Sequence, residues 1–370
     1  MIYVTVLIAM ALMRFLLPRD TLRSRRVFAG VSFFLLTFIA ACRAPEVGRD
    51  TALFLDVFQK LHGRGFLDTL VFSSWVEPGF RLLCFLISRF TANGQWLIAI
   101  TALLINGSVS LFIYRHAKNI YLAFYLYLAM MLYPFYLNIM RQALAIAILL
   151  FAWDFLKRRC YWRYILVVFL AASFHLSALL FLLCPILTLI PVHKKSLAVL
   201  LPVTGILAVL GLIFVRPVLK FITALIPRYA DYEAAGFDAL YCFFAVFLAV
   251  TAYGIYRFYF AKGGVTVSVA KGEFDERGFL TLMMLVGVVV AAMMTGFGQL
   301  QRIFNYFEVL YLLWLPAAVP AAYFHEEKRH IAFPVQEIAV LLAALAYFLI
   351  ILFLRSALWY DALPYRFFWQ

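Results

Sequence analysis

The chain has 370 residues, of which 66% are hydrophobic and 14% are charged, whereas a soluble domain has about 45–50% and about 25%. Apolar windows of about 20 residues, the length that crosses a bilayer, recur along the chain with short polar breaks. This composition excludes a soluble enzyme. It predicts an all-α, polytopic transmembrane helical bundle in which residues 1–370 form a single integral membrane domain.

Positive charge exceeds negative charge, with 32 Lys and Arg against 18 Asp and Glu and a formal net charge of +14. Most of the positive residues cluster in short loops such as residues 19–26 and 157–163, as the positive-inside bias of membrane proteins predicts. Nucleic-acid binding is therefore not expected. The five cysteines form no CxxC pair, so neither a disulfide framework nor a zinc site is indicated.

Ten segments have the length and apolarity of membrane spans. The first has its arginines after it, whereas a cleaved signal peptide has them before its apolar region, which predicts an uncleaved span with the N-terminus outside. Two further segments, Glu77–Phe90 and Tyr164–Ile190, have lengths that do not suit one span, so about 10–12 spans are expected. The ten candidate spans are residues 2–17, 27–42, 95–114, 119–136, 142–157, 197–215, 239–257, 279–297, 304–323 and 335–354.

The charges of two loops indicate how the two awkward segments fold. If both segments cross once, loops 115–118 and 157–163 place six Lys and Arg outside; if neither crosses fully, those six face the cytoplasm. The positive-inside bias favours the second arrangement. It predicts an interfacial or re-entrant piece for Glu77–Phe90 and, for Tyr164–Ile190, a re-entrant hairpin or bent helix that turns near His175.

This arrangement places four polar loops on the extracytoplasmic face. No Walker loop, GxGxxG or DxD motif occurs on the other face, so nucleotide-dependent chemistry is not indicated. Loops of about residues 43–76 and 216–238 are therefore expected to contribute to an active-site face. The four loops are residues 43–76, 138–141, 216–238 and 298–302.

The first outer loop carries two carboxylates, Glu46 and Asp50, on either side of Gly48. On a helical turn the two would share a face, which suits a general base or a cation site. The alternative is a solvated loop in which Asp50 or Thr51 caps the helix that follows.

Two arginines, Arg141 and Arg302, stand at the starts of predicted spans on this face. Guanidinium groups bind phosphate oxygens bidentately, so the pair would suit an oxyanion such as pyrophosphate. The alternative for Arg141 is a side chain that snorkels to the lipid headgroups. Glu308 follows Arg302 within apolar sequence, where a lone carboxylate is costly and usually paired.

His175 lies in the apolar run AASFHLSALLF. It is either a packing residue hydrogen-bonded to Ser173 or Ser177, or a functional group, since ionisable residues inside a membrane commonly mark functional sites. A separate polar loop, IPRYADYEAAGFDAL, brings together Arg228, Tyr229 and Tyr232, and its aromatic rings would suit sugar binding.

Several short motifs, in this order, resemble the EpsG-type family of bacterial exopolysaccharide polymerases, relatives of the Wzy O-antigen polymerases. The resemblance runs from about Glu46 to Phe307. It implies a glycosyltransferase-C-like enzyme of the bacterial cytoplasmic membrane, with its active site on the extracytoplasmic face. The motifs are VGRDTALF, EPGF, MRQALAIAI, SFHLSALL, a Tyr-rich outer loop and QRIFNYF.

The implied reaction transfers a growing glycan from undecaprenyl pyrophosphate to the non-reducing end of an incoming lipid-linked repeat unit. Undecaprenyl pyrophosphate leaves. Pyrophosphate is already a good leaving group, so no general acid is required in principle. Arginine can stand in for a metal, and no cofactor or metal is expected. The expected partners are the lipid-linked oligosaccharides, membrane lipids, and a chain-length regulator and flippase of the same pathway.

The resemblance also implies roles for individual residues. We expect Arg141 and Arg302 to hold pyrophosphate, and His175 to act as the base or to orient the lipid phosphate. Asp50 is the alternative base, with Glu46 and Glu77 as its rivals. The motif positions are Gly48, Asp50, Thr51, Glu77, Arg141, Gln142, His175, Ser177 and Arg302.

Two positions depart from the family pattern. Phe54 stands where a tyrosine is frequent, which removes a hydroxyl that could have bound sugar. Arg49, between Gly48 and Asp50, is a charged choice that is expected to tune the substrate's charge or a lipid-phosphate contact.

Three other functions fit parts of the sequence. A glycosyltransferase that uses a polyprenyl-monophosphate sugar, with Glu46 or Asp50 as base, would add one sugar rather than build a polymer. A lipid-linked oligosaccharide flippase or other transporter would move substrate without forming glycosidic bonds, and the chain shows no matching halves. A membrane-bound acyltransferase would use a buried histidine such as His175 but needs an acyl donor from the cytoplasm.

Overall fold

The computed structural model describes most of the chain and divides it into two compact units. The first comprises Met1–Leu156, Cys160–Leu182 and Val319–Gln370, and the second comprises Lys157–Arg159 and Leu183–Ala318. The single-domain organisation stays a prediction. The described residues are 2–17, 21–72, 75–225, 238–261, 273–319, 323–325, 330–332, 335–359 and 362–370.

The described elements are helices apart from one short antiparallel hairpin, so the predicted all-α membrane bundle is confirmed. The α-helices are α1 (Ile2–Leu16), α2 (Leu22–Ala41), α3 (Thr51–Leu61), α4 (Phe66–Val71), α5 (Pro78–Ser88), α6 (Gln95–His116), α7 (Ile120–Ala129), α8 (Leu132–Asn138), α9 (Met140–Lys157), α10 (Tyr161–Ala172), α11 (Cys184–Leu187), α12 (Lys194–Leu225), α13 (Asp238–Ile255), α14 (Glu276–Gly296), α15 (Gln301–Glu308), α16 (Tyr311–Ala318) and α17 (Val335–Trp359). The remaining elements are 3-10 helices at Leu176–Leu183 and Gly298–Leu300, a π-helix at Tyr256–Phe260, and strands β1 (Tyr323–His325) and β2 (His330–Ala332).

The chain is a multi-pass membrane protein, and its described residues contain fewer full-length spans than the sequence predicts. Among the described residues, six helices are long and apolar enough to cross a membrane, and the bent pair α7 and α8 would make a seventh. In the same part of the chain, four other apolar helices have only 10–17 residues, fewer than the about 20 of a typical span. The six helices are Leu22–Ala41, Gln95–His116, Lys194–Val218, Leu240–Phe260, Glu276–Gly296 and Val335–Phe353.

The core of the first unit forms around α7. Every residue of Ile120–Ala129 is buried, and α1, α2, α6 and α17 pack against this helix. The Tyr127 hydroxyl donates to Asn106 Oδ1 at 2.9 Å, so these two buried polar groups satisfy each other. After α7 the chain breaks at Met131, whose φ is 64°, and α8 continues at an angle of 50°.

Both awkward segments have the irregular form that the loop charges predict. Helix α5 has 11 residues, which span only about 16 Å, too little to cross a bilayer. Helix α10 ends at Ala172, the chain turns through residues 173–175, and a 3-10 helix follows. The Tyr164 hydroxyl donates to the carbonyl of Phe181 at 2.8 Å and ties the two arms together. The predicted turn near His175 is therefore present.

In the second unit, α14 packs against α12, α13 and α15. Phe247 on α13 lies against the ring of Phe304 at 4.9 Å and that of Tyr311 at 5.4 Å. Gly287 allows this approach, because a Cβ there would lie 2.5 Å from Phe247. Lys157 pairs with Glu276 at 3.0 Å at the start of α14.

Candidate functional site

The first outer loop folds onto the end of α8. Gly48 has a φ of +100°, and a Cβ there would lie 2.8 Å from the carbonyl oxygen of Leu137, so only glycine fits without strain. The backbone N–H of Arg49 donates to Asn138 Oδ1 at 2.6 Å. The loop that carries the predicted motif is therefore fixed to the residues directly before α9.

The two carboxylates of this loop differ in their surroundings. Asp50 is half-buried and precedes α3, but its side chain makes no capping hydrogen bond, so the capping interpretation of Asp50 is wrong. The Thr51 hydroxyl donates to the carbonyl of Val47 at 3.2 Å, so this side chain is bonded to the loop that precedes α3. Glu46 and Arg49 are exposed.

Glu77 and Arg141 form an ion pair across the first unit. Glu77 directly precedes α5, and Arg141 lies in the first turn of α9. Their side chains are 21% and 12% exposed, so solvent screens the pair less than it screens a surface pair. Glu77 is therefore a partner of Arg141 within the first unit, and the headgroup contact stays an alternative prediction.

Aromatic rings form a wall beside this pair. The Arg141 guanidinium lies 4.5 Å from the ring centre of Trp75 and 5.5 Å from that of Phe54. The ring of Phe54 lies in turn 5.3 Å from that of Phe80. Phe54 therefore fills the position of the expected tyrosine with a ring that packs beside the arginine and carries no hydroxyl. Cation–π contacts of this kind strengthen as water is excluded.

The hairpin turn that carries His175 meets the start of α5. The backbone N–H of Gly79 donates to the carbonyl of Ser173 at 2.7 Å, and a Cβ at position 79 would collide with Ser173. His175 is half-buried, and its Nδ1 lies 2.8 Å from the Ser177 hydroxyl. The turn thus lies beside the segment that presents Glu77.

The structure therefore links four of the motifs in the first unit. Asn138 holds the Gly48 loop just before α9, Glu77 pairs with Arg141, and the His175 turn contacts the helix that Glu77 precedes. Gln142 is buried in α9 at 2% exposure. No group of three or more His, Cys, Asp or Glu side chains within the described residues could hold a metal ion.

Four of the predicted binding residues lie in the second unit or outside the described residues. Arg302 is exposed on α15 of the second unit, where Asn305 and Glu308 follow it on the same helix and are buried. Arg228, Tyr229 and Tyr232 lie outside the described residues.

Sequence reasoning missed Arg43, Trp75 and Asn138. Trp75 carries no motif of its own, and only the folded chain brings it to Arg141. Asn138 lies in the predicted outer loop 138–141, but its contact with the backbone of Arg49 follows only from the fold. Arg43 follows directly on an apolar helix, which could have marked it as an unusual charge. It is 2% exposed, and burial lowers its pKa to about 10.

Comparison with known proteins identifies a family. The model of the EpsG family matches residues 26–367, nearly the whole chain. No match was found among curated proteins or among solved structures.

Proposed function

We propose that this chain, which belongs to the EpsG family, joins lipid-linked oligosaccharide repeat units into a polysaccharide. Family membership supports a polysaccharide-polymerase role and a glycosyltransferase type of activity in general. The finer proposal is transfer of the growing glycan from undecaprenyl pyrophosphate to an incoming lipid-linked unit, on the extracytoplasmic face of the bacterial cytoplasmic membrane.

The observation that carries this proposal is the Glu77–Arg141 pair within its aromatic wall. A guanidinium flanked by Trp75 and Phe54 offers donors to an oxyanion in a partly desolvated place, where charge stabilisation is stronger than in water. Pyrophosphate would compete with Glu77 for Arg141. In this proposal the bound lipid pyrophosphate takes the place of the carboxylate.

The proposed chemistry is one displacement. The acceptor hydroxyl oxygen forms a bond to the anomeric carbon of the growing glycan, while the bond from that carbon to the pyrophosphate oxygen breaks. The leaving pyrophosphate keeps the electron pair, and Arg141 stabilises its charge. The hydroxyl proton passes to a base, and no metal or nucleotide takes part.

For the base we propose His175, with Ser177 as its orienting group. With the imidazole proton on Nδ1 donating to the Ser177 hydroxyl, Nε2 is the nitrogen that accepts a proton. Asp50 is the alternative, because its carboxylate is not used as a cap and its loop is fixed beside Asn138. Phosphate contact by Arg302 stays a prediction.

Alanine variants test the site in cells. In a strain that lacks its own polymerase, Arg141→Ala and His175→Ala should each reduce the repeat-unit ladder to single units. The matched control is Arg64→Ala, because Arg64 is an exposed outer arginine whose Nε donates to the carbonyl of Lys60. Ladders of normal length in both site variants, at normal protein levels, would contradict the assignment.

A further inference from the structure

Arg43 is a buried cation whose guanidinium joins three parts of the first unit. Its Nη1 donates to the carbonyl of Ala40 at 2.8 Å in the last turn of α2. Its Nε donates to Val47 at 3.2 Å in the outer loop. Its Nη2 reaches Leu137 at 3.3 Å near the end of α8. One side chain therefore connects two helices and the loop between Ala44 and Asp50.

Burying this charge is costly. Among the described residues no carboxylate forms an ion pair with Arg43, and carbonyl and phenol oxygens are what surround it. An unpaired buried charge usually destabilises a fold, and an apolar side chain would fill the same space at lower cost. A function that needs the forked geometry of a guanidinium explains why an arginine stands here.

The backbone of Arg43 is also fixed. Arg43 forms an antiparallel bridge with Phe367, in which the N–H of Ala44 donates to the carbonyl of Arg366 at 2.9 Å. On the other side, Gln95 Nε2 donates to the carbonyl of Arg43 at 3.2 Å. The C-terminal segment 362–370 and the start of α6 thus hold the residue from which the guanidinium extends.

The Arg43 guanidinium and Gly48 both lie against the carbonyl oxygen of Leu137. The carbonyl oxygen of Leu137 accepts from Arg43 and is also the oxygen that a Cβ at position 48 would meet at 2.8 Å. Asn138, the next residue, accepts from the backbone N–H of Arg49. The contacts of Arg43 and those of the Gly48 motif therefore fix the same short stretch before α9.

We propose that Arg43 is a positioning residue that clamps the loop Ala44–Asp50 onto the end of α8 and so sets the position of Asp50 relative to Arg141. The expected change in kcat rests on the proposed function, whereas the contact between Arg43 and the loop does not. The clamp itself is a property of the fold.

Two substitutions distinguish a role for the guanidinium geometry of Arg43 from a role for its positive charge alone. Arg43→Met removes the charge and the donors, whereas Arg43→Lys keeps a charge but loses the fork. The loop that carries Asp50 is fixed directly before α9, which carries Arg141. A displacement of about 1 Å within a site can cost about 100-fold in rate even when it starts away from the reacting atoms, so both variants should lower kcat by about that factor. The KM for the lipid-linked donor should change less than about threefold, because Arg141 is intact.

The experiment uses the full chain purified in detergent and lipid-linked repeat units extracted from cells that lack the polymerase. Polymer formation gives kcat and KM, and hydrogen exchange of the peptide covering residues 44–51 reports the loop independently of activity. Both Arg43 variants should exchange faster in this peptide and unchanged in α9. The control, Arg64→Met, should match wild type in both measurements.

Three outcomes have distinct meanings. Wild-type exchange at residues 44–51 in both Arg43 variants would overturn the clamp, as would full rescue of kcat by Arg43→Lys. If Arg43→Met does not fold, Arg43→Lys alone decides by the same criteria. If wild-type protein makes no polymer, the proposed function fails, while the exchange result still decides whether Arg43 holds the loop.

Discussion

At the scale of single residues, the Glu77–Arg141 pair is the contact on which the site depends. A carboxylate and a guanidinium that are both mostly buried attract strongly, but each becomes a liability when its partner is removed. The pair therefore couples the stability of the first unit to the binding of any anion that competes for Arg141.

Glu77→Gln and Arg141→Met should each lower the free energy of unfolding by about 1.5–3 kcal/mol, since each leaves one charge without its partner. The double variant should cost less than the sum, because it removes both charges. The measurement is denaturant unfolding of the purified protein.

The exposed pair of Lys60 and Asp56, with side chains 57% and 55% exposed, is the control for this cycle. Its double-mutant coupling should be below about 1 kcal/mol. Strictly additive effects at Glu77 and Arg141 would contradict a functional ion pair.

The sequence motifs singled out individual candidate residues, but they did not indicate which of these residues pair with one another. The motif order identified Arg141, Glu77, Asp50 and His175 as separate candidates. That Glu77 neutralises Arg141 follows only from the fold, because no local spacing links α5 to the start of α9. Asp50 was open to interpretation as a helix cap, and only the observed geometry decided against it.

At the scale of elements, the junction between α5 and the hairpin turn is the feature that brings two motifs together. It depends on Gly79, whose missing side chain lets the start of α5 approach Ser173. Any side chain there must push the two segments apart.

Gly79→Ala should therefore destabilise the protein by about 1–3 kcal/mol, the usual cost of overpacking, and should shorten the polymer ladder. Gly30→Ala is the matched control, because nothing lies within 4 Å of a Cβ at position 30 in α2. Alanine there should be neutral or slightly stabilising. Thermal unfolding and ladder length would measure both, and equal behaviour of the two variants would count against the junction.

Breaks in the apolar helices were predictable only where the Lys and Arg content of the loops indicated them. Loops 115–118 and 157–163 carry enough Lys and Arg to predict the turn near His175 from the positive-inside bias. The break after α7 lies in apolar sequence and the break after α15 follows Glu308, and residues 119–136 and 304–323 were each predicted as one span. A fully buried helix has no polar face, so periodicity gives no sign of where it bends.

At the scale of the whole molecule, hydrogen bonds gather several segments at one end of the first unit. The Tyr3 hydroxyl donates to the carbonyl of Ala362 at 3.3 Å, and Gln95 Nε2 donates to the carbonyl of Ala41 at 2.6 Å. The start of α1, the end of α2, the start of α6 and the C-terminal segment are thus neighbours. Since the charges after α1 predict an outer N-terminus, this end is the one we expect to face away from the cytoplasm.

Composition alone was enough to predict a helical membrane protein, because 66% hydrophobic residues leave no other class. The division into two units was not predictable, since no linker or change of composition marks it. The proposed reaction is inferred from family membership and the Arg141 site together. Neither the charge pattern nor the number of helices indicates which reaction takes place.

The most direct test of the polymerase function is reconstitution of the purified protein in vesicles with undecaprenyl-pyrophosphate-linked repeat units and no nucleotide sugar. We expect a ladder of lengthening glycans, with one undecaprenyl pyrophosphate released for each new glycosidic bond. Addition of a single sugar from a polyprenyl monophosphate, or movement of the substrate across the vesicle without new glycosidic bonds, would contradict it.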